Sequence, residues 1–142
     1  MSYRTLLFCA ALTVENCTLP AVAQDIPNLI GTWKGTAYAV HIGSNPYRVA
    51  QGKGPNFPDN GIEFTFVISE QHGNRFAGEM SGGKYSETII GALQPDNKGG
   101  IMLDDDGEYA ITLVAADTMD ICYHHNFPTS RVASCWRLER SR

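Results

Sequence analysis

Few residues in this sequence are of types and spacings that could do chemistry. Cys122 is followed closely by His124 and His125, and Cys135 lies a short turn further on. Thiolates and imidazoles are zinc ligands, while two thiols in an oxidising compartment make a disulfide. Asp104-Asp105-Asp106-Gly107 sets carboxylates before a glycine, as calcium loops do, and Ser81-Gly82-Gly83-Lys84 is glycine-rich, as phosphate loops are. Each pattern is incomplete. Adjacent strand residues point to opposite faces, so His124 and His125 cannot both ligate one ion without a bulge or turn, and a site would need His41 or His72 brought in by the fold. The aspartate run lacks the spaced oxygens and closing glutamate of an EF-hand. The Ser81–Lys84 run lacks the remainder of a P-loop and precedes a strand. Both read as hairpin turns. No serine sits in a nucleophile elbow, and Glu63 and Glu79 fall on polar strand faces. The expectation is a non-enzymatic protein with neither metal nor cofactor.

The elements that position these residues are strands. Ile62, Phe64, Phe66 and Ile68 alternate with Glu63, Thr65 and Ser69, with Val67 the apolar intruder. Gln71-His72-Gly73-Asn74 turns the chain into Arg75–Met80. Further strands are predicted at Gly31–Val40, Ser86–Leu93, Gly100–Leu103, Glu108–Val114, Met119–His124 and Val132–Leu138. Tyr109, Ile111 and Leu113 share one face. No stretch has a helical period of useful length. Many short strands joined by turns imply an all-β antiparallel barrel or sandwich, and closure removes the open edges a sheet would expose. The expected fold is an eight-stranded antiparallel up-and-down barrel. The segment His41–Asn60, rich in Gly, Pro and Asn, would hang over one mouth.

The first 23 residues read as an export signal. Arg4 supplies a positive start, TLLFCAALTV is the apolar run, and Ala21-Val22-Ala23 precedes a cut before Gln24. The run is shorter than the roughly 20 residues a membrane span requires. Neither Cys9 nor Cys17 follows the small residue usual at lipid-modification sites. Cleavage therefore leaves Cys122 and Cys135 as an even pair in an exported chain, with 24–142 as one β-barrel domain. If the strands flanking Asn126–Thr129 pair around that turn, the two cysteines face each other within disulfide reach. A net charge of −4 argues against a nucleic-acid partner. The expected location is periplasmic or secreted.

The opening of the first strand, Gly31-Thr32-Trp33-Lys34-Gly35, resembles that of the calycin barrels, the lipocalins and avidins among them. The resemblance implies that Trp33 packs beneath a basic residue of the last strand, Arg137 or Arg140, and closes one end. The avidin biotin set is not matched, since Trp33 and Trp136 are the only tryptophans. The expected function is binding of a small apolar molecule by inward-facing Trp33, Phe64, Phe66, Phe76, Met80, Tyr109, Ile111 and Trp136. A barrel of this size is also narrow enough for such side chains to fill it. The alternative is an exported protein-interaction module, a protease inhibitor or envelope assembly factor, using His41–Asn60 or the Phe127-Pro128 hairpin.

Overall fold

The computed structural model describes residues 25–141. The predicted signal, its cleavage point, Cys9 and Cys17 lie outside the described residues. Within them the chain runs as β1 (Gly31–Ala37), β2 (Val40–Ile42), β3 (Ile62–His72), β4 (Arg75–Gly82) and β5 (Tyr85–Leu93), then β6 (Gly99–Leu103), β7 (Glu108–Ala115), β8 (Thr118–Asn126) and β9 (Arg131–Arg140). The sheet order is β1-β3-β4-β5-β6-β7-β8-β9, and β1 pairs with β9 to close it. Every ladder is antiparallel. The all-β, eight-stranded up-and-down barrel expected from the sequence is the one formed, with β2 as a short ninth piece.

That extra piece belongs to the first strand. Trp33 faces Arg140 in the β1–β9 ladder, and Val40 faces Ala133 in the β2–β9 ladder. Seven residues forward on one strand match seven back on the other, so β2 resumes the β1 register after a break at Tyr38-Ala39. The two strands pass closely at Gly35, where a Cβ would overlap the Arg137 carbonyl and the Trp136 ring. Only glycine fits there.

Alternation decides the interior. Trp33, Phe66, Ile68, Phe76, Met80, Ile89, Leu93, Met102, Ile111, Met119, Ile121 and Leu138 are all at least nine-tenths buried. Each large apolar side chain withdrawn from water contributes about 1.5–3 kcal/mol before chain entropy is counted. In β3 a bulge between Ile68 and Glu70 shifts the phase. Gln71 then reaches the N-terminal segment, accepting from Leu29 N at 2.7 Å and donating to the Pro27 carbonyl at 2.9 Å.

Those contacts belong to the closed end. Leu29 is buried there, and the Trp33 indole donates to its carbonyl at 2.9 Å. The Arg140 guanidinium lies 4.2 Å from the Trp33 ring centroid. It donates to the carbonyls of Ile30, Asn28 and Ala116 and to Asp117 Oδ1. Of the two candidates the resemblance offered, Arg140 is the one over Trp33. Arg137 points outward and pairs with Asp120 at 2.7 Å.

Cys122 and Cys135 are register partners on β8 and β9, with Cα atoms 4.0 Å apart, and they form a disulfide. Both face solvent. The bond clamps the outside of the barrel and leaves the interior untouched.

Candidate functional site

At the end opposite Trp33, the barrel opens between the β4–β5, β6–β7 and β8–β9 turns, beneath the connection over 43–61. The strands deliver an aromatic and apolar wall. Phe64 comes from β3, Met80 from β4, Tyr109 from β7, and Trp136 with Val132 from β9. Phe64 lies 5.7 Å from the Trp136 ring, and Tyr109 lies 4.7 Å from Tyr123. Phe64 sits over its register partner Gly82, where any side chain would collide with the ring.

Asp104 and Asp106 line this apolar setting and Glu87 lies beside them, each carboxylate held by a tyrosine. Tyr47 donates to Glu87 Oε1 at 3.1 Å, Tyr109 to Asp104 Oδ2 at 2.6 Å, and Tyr123 to Asp106 Oδ1 at 2.8 Å. Oxygens of Glu87, Asp104 and Asp106 all lie within 4.8 Å of one another, close enough to share one cation. Burial raises the Glu87 carboxyl above its usual range, and the negative charge of Asp104 raises it further; the Tyr47 hydrogen bond acts in the opposite direction. Burial likewise raises the Tyr109 and Tyr123 phenols, with the neighbouring aspartates adding to it. Tyr47 is raised in the same way, by burial first and Glu87 second. All three phenols therefore stay protonated as donors at neutral pH.

Three buried polar atoms among the described residues of this site lack a hydrogen-bond partner. They are Nε of Arg48, Oε2 of Glu87 and the indole Nε1 of Trp136. Such groups are uncommon in folded proteins because each forfeits its hydration without replacement.

A relay runs along the wall beside the carboxylates. His125 contacts the Tyr123 hydroxyl through Nδ1 at 3.0 Å and Ser130 Oγ through Nε2 at 3.1 Å. The donors and acceptors close consistently with the histidine proton on Nδ1, giving Ser130 to His125 to Tyr123 to Asp106. Although Ser, His and Asp occur in this order, Nδ1 of His125 is 3.9 Å from Asp106 Oδ1, with Tyr123 between them. Ser130 is 7% exposed and lies behind His125 rather than on the cavity wall. This geometry orients a histidine; it offers no accessible nucleophile. His124 points outward and lies 3.6 Å from Glu108, as strand alternation requires.

Tyr47 roofs the cavity. Its ring meets Phe64 and Tyr85 edge-on at 5.3 and 5.2 Å. The connection carrying it is tied down by paired backbone bonds between His41 and Asn56 and by Arg48 donating to Asn60. With Tyr47 in place the cavity has about 50 Å³ of water-accessible volume, enough for a few waters. A drug-sized molecule requires several hundred. A polar hollow of about 500 Å³ lies within the loop, between Tyr47, Gln51 and Phe57.

Of the residues predicted from the sequence to hold a ligand, Phe64, Met80, Tyr109 and Trp136 line this cavity. Trp33, Phe66, Phe76 and Ile111 do not. They pack in the buried core, where Phe66 is the register partner of Trp33 and side chains fill the interior. Glu87 escapes the sequence reading, although it carries a signal: it shares a strand face with Ile89 and Leu93. Asp104 and Asp106 read from the sequence only as turn residues. Asp104 does build the turn, since its Oδ1 accepts from Asp106 and Gly107, while Oδ2 reaches inward to Tyr109.

No family model matches the chain, and no curated protein matches it. Among solved structures the chain is similar to the S-type phycobiliprotein lyase CPES from Guillardia theta, at 11% identity over 80% of this chain and 89% of that one, with a TM-score of 0.37. Similarity at this level assigns neither a ligand nor a site.

Proposed function

We propose that this is an exported, non-enzymatic, calycin-like barrel that holds one small molecule with a largely apolar body in the mouth cavity. The observation that carries the reading is the aromatic chamber of Phe64, Tyr109 and Trp136, covered at the mouth by the 45–48 stretch with the Tyr47 ring against Phe64. The plugged end beneath Arg140 leaves the mouth as the way in. Tyr47 occupies the ligand's place and swings aside when it binds. Export is supported by the solvent-facing disulfide, a bond that persists in oxidising compartments, and by the leader pattern at the N-terminus. The calycin assignment is supported by Gly31-x-Trp33 and by Arg140 over the indole.

Native against denaturing mass spectrometry of protein recovered from its own compartment tests this. Added mass that disappears on denaturation is expected. A clean apo mass together with a co-purifying protein favours a second reading, an interaction module. That reading draws on Val49 and Phe57 of the lid, which are 81% and 75% exposed. Trimming Asn45–Asn56 separates the two: the chamber keeps its ligand, whereas a partner held by the loop is lost.

A further inference from the structure

The mouth chamber specifies more than an apolar guest. Granted that it is a binding site, we infer that the ligand is a small aryl-alkyl amine or a close relative, with its ring in the chamber and its protonated nitrogen on Glu87 and the two aspartates. Three features of the chamber converge on this class. Glu87, beside the lining aspartates and covered by the Tyr47 hydroxyl, has a buried oxygen with no partner, which calls for a donor from outside the chain once Tyr47 moves. Phe64, Tyr109 and Trp136 present the ring faces and edges that favour both an aromatic guest and an adjacent cation. Tyr47 already shows the pose, with an aromatic ring edge-on to Phe64 and Tyr85 and a donor on Glu87 Oε1. An arylalkylammonium replaces that ring and that donor, and adds a positive charge where three carboxylates meet. The unpartnered Trp136 indole N–H offers a donor to any oxygen the ligand carries, and so tells oxygenated members of the class from plain ones.

The test uses three probes of one skeleton, 2-phenylethylammonium, 2-phenylethanol and 3-phenylpropionate, at pH 7.5. Binding is followed by calorimetry and by indole fluorescence, with Trp33, fully buried at the far end, as a constant background. The ammonium is expected to bind at least about tenfold tighter than the alcohol, the carboxylate weakest of the three. Glu87→Gln, which keeps the shape of the side chain, should bring ammonium and alcohol to within about threefold. Alcohol or carboxylate binding as tightly as the ammonium overturns the cationic assignment and leaves the chamber as a binding site. An ammonium preference unchanged in Glu87→Gln places the cation elsewhere and overturns it too. Calcium chloride alone that shifts the indole signal and displaces the amine makes the carboxylates a metal site instead. Binding of none of the three overturns both the inference and the chamber reading beneath it.

Discussion

The Tyr47 hydroxyl meets Glu87 at 3.1 Å across the mouth of the barrel, joining the long first connection to a strand 40 residues further along the chain. This contact holds the roof over the aromatic chamber. The same side chain fills the space a ligand would take, so its truncation should have opposite effects on stability and binding. Tyr47→Ala is expected to lower stability by about 1–2 kcal/mol, the loss of a half-buried aromatic and its hydrogen bond. Arylalkylamine affinity should rise, because no internal ring has to be displaced. Denaturant melts paired with calorimetry check both; weaker binding in the variant would mean that Tyr47 clasps the ligand rather than standing in for it.

Glu87 makes stability depend on pH in a stated direction. Its carboxyl faces Asp104, Asp106 and the Tyr47 hydroxyl, with Asp105 beyond, and burial with the like charges raises it above the unfolded value. The folded state therefore holds a proton that the unfolded state has released between the two values, and stability falls as pH rises through that window. Glu87→Gln removes the penalty. The variant should melt higher than the parent at pH 7–8, with the difference vanishing once pH falls below the ordinary glutamate range of about 4.3. Thermal melts across pH measure it. A variant that melts lower at pH 8 would show that the carboxylate is stabilised there by something other than Tyr47.

At the closed end, Arg140 combines a cation–π contact with donors to Ile30, Asn28, Ala116 and Asp117. Arg140→Ala leaves these carbonyls without their donor and should cost about 2–4 kcal/mol. Arg137→Ala removes one exposed ion pair and should cost much less. Equal losses in the two variants would refute the assignment of Arg140 as the plug.

The disulfide lies outside the barrel wall, so it bears on stability and not on the chamber. Cys122→Ser is expected to cost about 3 kcal/mol on the chain-entropy view, while probe affinity stays unchanged. Circular dichroism should retain the strand signal. Loss of binding in a folded variant would show that the β8–β9 clamp shapes the mouth.

The barrel was legible because period-two alternation is strong in β3, β7 and β8, and the facing cysteines followed from pairing β8 and β9 around a short turn. The site was half legible. Phe64, Tyr109 and Trp136 lie on the predicted inward faces, but alternation gives the face and not the height along the barrel. It could not separate them from Trp33, Phe66 and Phe76, which fill the core away from the cavity. Asp104 escaped because one carboxylate does two tasks, turning the hairpin with one oxygen and facing the chamber with the other. Tyr47 lies in a segment without period, so its place over Phe64 depends on the tertiary fold alone.

The two tryptophans, one at each end of the barrel, provide the most direct measurement. Their indole N–H resonances can be followed by ¹H–¹⁵N NMR, assigned with Trp33→Phe, while 2-phenylethylammonium and then 2-phenylethanol are added. The account predicts that the Trp136 signal, whose N–H has no partner among the described residues, moves in a saturable way while Trp33 stays still. A still Trp136 signal at saturating probe, or movement of Trp33 alone, would contradict it.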